Sequence, residues 1–206
     1  MKKEQSLAEK QQANLLNKLL KKKAVVDGRI AAATEERGVA ILLTGNGKGK
    51  SSSAFGTMAR ALGHGQQAAV VQFIKGRKST GEQLFFSQHP SVSFHVMGHG
   101  FTWETRDPEL EQKAADKAWE LAKAYLSDPS IDFVLLDEIT YMYKYGYLQV
   151  EDLINALSQR PLHQNVMLTG RTAPRALLDY VDTHSKIADE KHAFKAGVKA
   201  QAGIEW

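Results

Sequence analysis

From Gly38 onward, short apolar runs alternate with longer stretches in which apolar residues recur every three or four positions. The short runs, residues 39–43, 68–74, 92–96, 131–136 and 166–169, have the length and β-branched content of strands. The longer stretches, residues 52–62, 108–126, 150–158 and 174–181, have helical periodicity. Asp107-Pro108-Glu109-Leu110 is a good helix start, and Gly63 is a good helix stop. Ile131-Asp132-Phe133-Val134-Leu135-Leu136 is almost continuously apolar, which predicts a central strand covered on both faces. Strands alternating with helices imply right-handed crossovers and a parallel sheet between two helical layers. The expected fold is α/β: a single doubly wound, mostly parallel sheet with ligands at the carboxyl ends of its strands.

Ahead of this core, Leu7, Leu15, Leu16, Leu19 and Leu20 stand at helical spacing among Lys and Gln, predicting an amphipathic helix over residues 5–23. Asp27-Gly28 is expected to break it. The chain therefore divides into an N-terminal basic arm, residues 1–37, and one domain, residues 38–206. Two uses of the arm fit the pattern: a solvated helix packing its Leu stripe on the body, or an arm that orders over a bound ligand or a second subunit.

Charge sharpens this division. Residues 1–23 hold seven lysines against Glu4 and Glu9, so the formal net charge of +4 belongs to the arm and the body is near neutral. A body without charge excess gives no sign of general nucleic-acid affinity. There is no cysteine, which removes disulfides and thiolate metal sites and suits a reducing compartment. No apolar run approaches the roughly 20 residues that span a bilayer, and the Lys-rich start lacks the apolar segment of a secretory signal. A cytoplasmic protein without membrane association is the expectation.

The chemistry is concentrated at the end of the first strand. Thr44-Gly45-Asn46-Gly47-Lys48-Gly49-Lys50-Ser51 lies between an apolar run and a helical one. Strand, glycine-rich loop, Lys-Ser and helix form a cradle for nucleotide phosphates. Successive backbone N–H groups make an anion nest, and the new helix directs its positive dipole end at the same point. Lys50 would reach phosphate oxygens, and the Ser51 hydroxyl would take a position on Mg²⁺. Thr44 stands where the usual pattern has Gly.

Asp137-Glu138 follows the central strand, which puts both carboxylates on the rim that holds the loop. Asp137 is the expected second holder of Mg²⁺, directly or through water. Glu138 stands where many ATP-hydrolysing enzymes orient water, so this pair alone also fits an ATPase. Thr169-Gly170-Arg171 would bring a guanidinium to the same rim, and Arg60 lies ten residues beyond Lys50 on the first core helix. Either arginine could bind phosphate or ribose. Gly98-His99-Gly100-Phe101-Thr102-Trp103 reads as a loop ending in two large aromatics, suited to local packing or to forming a flat apolar surface. The seven histidines show no metal-ligand spacing.

Taken together, these blocks resemble the P-loop ATP:corrinoid adenosyltransferases. The resemblance rests on Gly45-Asn46-Gly47-Lys48-Gly49-Lys50-Ser51, Ala59-Arg60-Ala61-Leu62-Gly63-His64-Gly65 and Val71-Gln72-Phe73-Ile74-Lys75-Gly76. It continues in Gly100-Phe101-Thr102-Trp103, Leu135-Leu136-Asp137-Glu138-Ile139-Thr140-Tyr141, Leu168-Thr169-Gly170-Arg171 and the tail from Lys191 to Glu205. The phosphate loop is generic, whereas the Phe-x-Trp and Asp-Glu-x-Thr-Tyr blocks in this order are specific. Departures are Ser51-Ser52-Ser53, where a Thr pair is common, the segment Arg77-Lys78-Ser79-Thr80, and residues 183–190.

The resemblance implies a sheet of the P-loop, RecA-like type. It also implies transfer of the 5′-deoxyadenosyl group of ATP to the Co(I) of a reduced corrinoid, with release of triphosphate. Lys50, Glu138, Phe101 and Trp103 would be catalytic. Gly45, Asn46, Gly47, Lys48, Gly49, Lys50, Ser51, Ser52, Arg60 and Arg171 would bind the nucleotide. Ser51 and Asp137 would hold Mg²⁺, or Mn²⁺ in its place. Phe101 and Trp103 match the aromatics that exclude cobalt's lower axial ligand and so make Co(II) reducible. A reduced flavoprotein is the implied electron donor, and a homodimer the implied assembly.

Overall fold

The computed structural model describes residues 2–74, 79–97 and 108–206, with side chains described from residue 12 onward. Two compact units are present, one reaching to Glu36 and the other spanning Arg37–Trp206.

The first unit is helix α1, Lys2–Ala32. It runs straight through Asp27-Gly28, where a break was expected. A lone glycine costs a helix only about 1 kcal/mol relative to alanine, and Gly28 has strong helix formers on both sides, Lys21 to Ala24 before it and Arg29, Ala31 and Ala32 after it. The Leu15, Leu16, Leu19 and Leu20 side chains are each more than half exposed.

The second unit is built on six parallel strands in the order β3-β2-β4-β5-β1-β6. They are β1 (Ala40–Thr44), β2 (Ala68–Gln72), β3 (Val92–Val96), β4 (Phe133–Asp137), β5 (Asn165–Thr169) and β6 (Thr183–Lys186). The helices are α2 (Lys50–Gly63), α3 (Gly81–Phe86), α4 (Pro108–Ser127), α5 (Thr140–Lys144), α6 (Val150–Ser158) and α7 (Arg175–Tyr180). Because side chains alternate across a sheet, neighbouring residues feed two separate cores. Leu43, Val70 and Leu135 join Ala54, Phe55 and Met58 of α2 on one face. Leu42, Val71 and Leu136 join Trp119 of α4, Leu153 and Leu157 of α6 and Leu177 of α7 on the other. β2 and β4 are buried along their whole length, as the near-continuous apolar runs require. Among the described residues, no helix is long and apolar enough to cross a membrane.

Three of these strands and α-helices were not expected. β6 is Thr-His-Ser-Lys, exposed throughout, so it carries no apolar pattern to read. Its pairing with β1 alone defines it. α3 has six residues and starts on a local signal, the Thr80 hydroxyl accepting from the Gln83 N–H at 3.2 Å. α5 has five residues and follows directly from the turn at Glu138. The expected helix stop also shifts: Gly63 is the last residue of α2, and the left-handed glycine past its end is Gly65 (φ 78°).

Asp182 fixes the start of β6 against β1. Its carboxylate accepts from the Ala40 N–H at 2.8 Å and from Arg37 Nη2 at 2.7 Å, while its own N–H donates to the Ala40 carbonyl. The Arg37 hydrogen bond, and after it the Ala40 N–H, hold this carboxyl below its ordinary value of 3.8. A depressed carboxyl stabilises the fold above its unfolded value, and the gain is lost as pH falls from there through the folded value. We therefore expect Asp182→Ala to cost about 1 kcal/mol at neutral pH. The difference from the parent should close below about pH 4, as urea unfolding at a series of pH values would measure.

Candidate active site

β1 ends at Thr44, and the loop from Gly45 to Gly49 leads into α2 at Lys50. The loop is held by the chain that follows β6. The Gly47 N–H donates to the Ile187 carbonyl at 3.0 Å, and a Cβ on Gly47 would stand 2.2 Å from the Ala188 oxygen. Only glycine allows that approach. Gly49 has φ 117°, a left-handed conformation that turns the chain into the helix. Thr44, in the position where glycine is usual, is buried and pairs its Oγ1 with His184 Nε2 at 2.7 Å, tying the last residue of β1, just before the loop, to β6.

Lys50 is the first residue of α2, buried, with Nζ donating to the Gly47 carbonyl at 2.8 Å. Burial lowers its pKa, aided by Arg171 and Lys48 and opposed by Glu138 and Asp137. The carboxylates come from the end of β4. Asp137 is 3% exposed; its Oδ1 accepts from the Thr169 hydroxyl at 2.7 Å and its Oδ2 from Gln72 Nε2 at 3.0 Å. The same Thr169 oxygen accepts from the Glu138 N–H at 2.8 Å.

That bond helps to hold Glu138 at φ 59°, the one left-handed non-glycine among the described residues. Such backbone costs of order 1–3 kcal/mol and concentrates at functional sites. The Glu138 Oε2 is buried without a hydrogen-bond partner. Burial, with the Asp137 carboxylate next in effect, raises the Glu138 pKa to about 7 against the pull of Lys50 and Arg171. The side chain therefore exchanges its proton near neutrality.

These groups face a cavity of about 460 Å³. Lys48, Gly49, Lys50, Ser51 and Ser52 form one wall, Gln72, Asp137 and Glu138 another, and Gly203 to Trp206 of the tail close over it beside Phe55 and Ile74. Asn46 and Arg171 line a second cavity of about 500 Å³, which shares Ile204 and Glu205 with the first. Gly45 donates its N–H to the Arg171 carbonyl at 2.9 Å, which joins the loop to the segment after β5. Arg60 is not brought to the loop. It stands in the last turn of α2 and lines neither cavity; ten residues of helix separate it from Lys50 by about 15 Å. Phe101 and Trp103 lie outside the described residues.

Sequence reading assigned no role to Gln72, Thr169 or the tail residues Ile204, Glu205 and Trp206. The first two carried a usable signal. Each is a polar residue closing an apolar strand, and burial at such a place demands a hydrogen-bond partner. The tail carried no comparable pattern.

Among the described residues, no group of three or more His, Asp or Glu could hold a metal ion. Ser51 and Asp137 nevertheless face one cavity, with a hydroxyl and a buried carboxylate as hard oxygen donors. This set suits Mg²⁺, which takes one or two protein oxygens and fills its remaining positions with phosphate and water.

Residues 36–206 match the family described as ATP:corrinoid adenosyltransferase BtuR/CobO/CobP. The chain is 51% identical over 187 residues to the corrinoid adenosyltransferase of Pseudomonas aeruginosa, covering 90% of this chain and 92% of that one. It is 52% identical over 181 residues to the corrinoid adenosyltransferase CobA of Salmonella typhimurium, covering 88% and 92% of the two chains. With the Escherichia coli corrinoid adenosyltransferase it shares 50% identity over 184 residues, 89% of this chain and 93% of the relative.

Thr169→Val keeps the shape of the side chain but removes a donor to Asp137 and an acceptor for the Glu138 N–H. With Asp137 buried and the Glu138 N–H part-buried, we expect a loss of about 2 kcal/mol in urea unfolding. Thr169→Ser, which keeps the hydroxyl and loses only the methyl, should retain most of the stability; a Val variant as stable as the parent would contradict the part given to these two bonds.

Proposed function

The chain belongs to the ATP:corrinoid adenosyltransferase family, and on that footing we propose that it transfers the 5′-deoxyadenosyl group of ATP to the Co(I) of a reduced corrinoid, releasing triphosphate. The observation that carries this reading is the shared cavity in which the Lys48–Ser52 wall of a phosphate loop faces Asp137 and Glu138. The Co(I) electron pair forms the Co–C5′ bond while the C5′–O bond breaks, its electrons leaving on the triphosphate oxygen. The nucleophile thus comes from the substrate, and the protein needs neither a serine nor a general base to generate it.

The protein's task is electrostatic. Lys48, Lys50, the Ser51 hydroxyl and the loop amides would neutralise charge developing on the departing triphosphate, usually the largest contribution to such catalysis. Lys50 would exchange the Gly47 carbonyl for a phosphate oxygen. Ser51 and Asp137 would hold Mg²⁺ or Mn²⁺, which supplies further charge neutralisation when bound. Glu138, whose carboxyl pKa is already raised by burial in the free protein, would add less negative charge beside the phosphates than an ordinary carboxylate. Phe101 and Trp103 would exclude cobalt's lower axial ligand while the corrinoid awaits an electron from a reduced flavoprotein. A homodimer is the proposed assembly.

The products test the reaction. With ATP and chemically reduced cobalamin, phosphorus NMR should show triphosphate in step with adenosylcobalamin. ADP and phosphate would instead support the ATP-hydrolysing reading that Asp137-Glu138 also allows. Lys50→Ala should lower turnover by roughly 10²–10³ in a protein that still melts cooperatively, and near-normal turnover would remove the phosphate-loop assignment. For the aromatics, the double change Phe101→Ala, Trp103→Ala should abolish most activity with a flavoprotein donor and much less with Co(I) prepared beforehand. Equal losses in the two assays would assign these residues to holding the corrin ring or the loop.

A further inference from the structure

Both lysines of the phosphate loop are engaged by the protein's own oxygens. Lys50 Nζ donates to the Gly47 carbonyl inside the loop. Lys48 Nζ is paired with Glu205 Oε2 at 2.9 Å, across 157 residues of chain. Glu205 is delivered by a short turned segment: its N–H donates to the Gln201 carbonyl at 2.8 Å, and Gly203, at φ 79°, donates its N–H to the Trp206 carbonyl at 2.7 Å. That turn sets Ile204, Glu205 and Trp206 on the wall of the cavity that also holds Lys50, Ser51 and Asp137.

A carboxylate oxygen on Lys48 engages a cation that an anionic ligand of the loop would otherwise use. We propose that Glu205 is a positioning residue that competes with triphosphate for Lys48. It holds the ammonium at the mouth of the cavity in the free protein, yields it when the phosphates arrive and reclaims it as they leave. This rests on the adenosyltransferase reading, in which the product is a whole triphosphate held by every cation of the loop. Such a product is intrinsically slow to leave, so a resident competitor favours turnover.

The pair's exposure sets the size of the effect. The two side chains are 41% and 29% exposed, so their attraction is moderated by solvent and can be exchanged without breaking the fold. Glu205→Gln removes the charge and keeps the shape. We expect it to bind inorganic triphosphate, titrated calorimetrically with Mg²⁺ present, about two- to fivefold more tightly than the parent. It should also turn over more slowly wherever product release limits the rate. Glu205→Asp, shorter by one methylene, should fall between the two.

General repulsion between Glu205 and the phosphates would also tighten binding when the charge is removed. Repeating Glu205→Gln in a Lys48→Met background separates the two causes. Competition for Lys48 predicts that most of the gain disappears there. The proposal is overturned if the gain is equal in both backgrounds, or if Glu205→Gln binds triphosphate no more tightly than the parent. A parent protein that binds no triphosphate would overturn the functional reading itself, together with this proposal.

Discussion

The site depends on the way one carboxylate is clamped. Asp137 ends the central strand β4, and its two oxygens are taken by Gln72 from β2 on one side and Thr169 from β5 on the other. Three adjacent strands are thus tied at their carboxyl ends by side chains, beyond the backbone ladder that brings Gln72 opposite Asp137. A buried carboxylate is costly unless hydrogen-bonded. Here the bonds that satisfy it also fix its orientation, and Thr169 extends the arrangement to the strained turn at Glu138.

Strand order then sets the room available. β5 lies between β4 and β1, so Asp137 and the strand that launches the phosphate loop are two ladder spacings apart, about 10 Å. In the proposed reaction that gap would hold phosphate groups, with a metal ion between the carboxylate and the lysine. The loop is fastened on both flanks, by the Arg171 carbonyl after β5 and by the Ile187 carbonyl after β6. With its backbone held in this way, the lysine side chains are the parts able to change partners. The lowered Lys50 pKa and raised Glu138 pKa have the same first cause, burial of an ionisable group.

What the sequence made legible follows physical lines. Strands buried on both faces are apolar throughout, so β1, β2, β4 and β5 could be read, and the phosphate loop and Asp137-Glu138 followed from their positions at strand ends. β6 could not be read, because an exposed edge strand such as Thr183–Lys186 needs no apolar face. Its part in the site, through His184 on Thr44 and Ile187 on Gly47, is contact across about 140 residues that no local pattern encodes. The same holds for Glu205 on Lys48. Arg60 shows the reverse case: ten residues beyond Lys50 is near in sequence, but α2 carries it to its last turn, away from the two cavities.

In the proposed function, a rigid carboxylate clamp and a loop of exchangeable lysines together receive a triphosphate. A crystal structure of the chain with ATP and Mg²⁺ tests it most directly. Lys50 Nζ should move from the Gly47 carbonyl onto a phosphate oxygen, with the Gln72 and Thr169 bonds to Asp137 still near 3.0 and 2.7 Å. Lys50 remaining on Gly47 with the nucleotide bound elsewhere, or an Asp137 carboxylate turned away from Gln72 and Thr169, would contradict it.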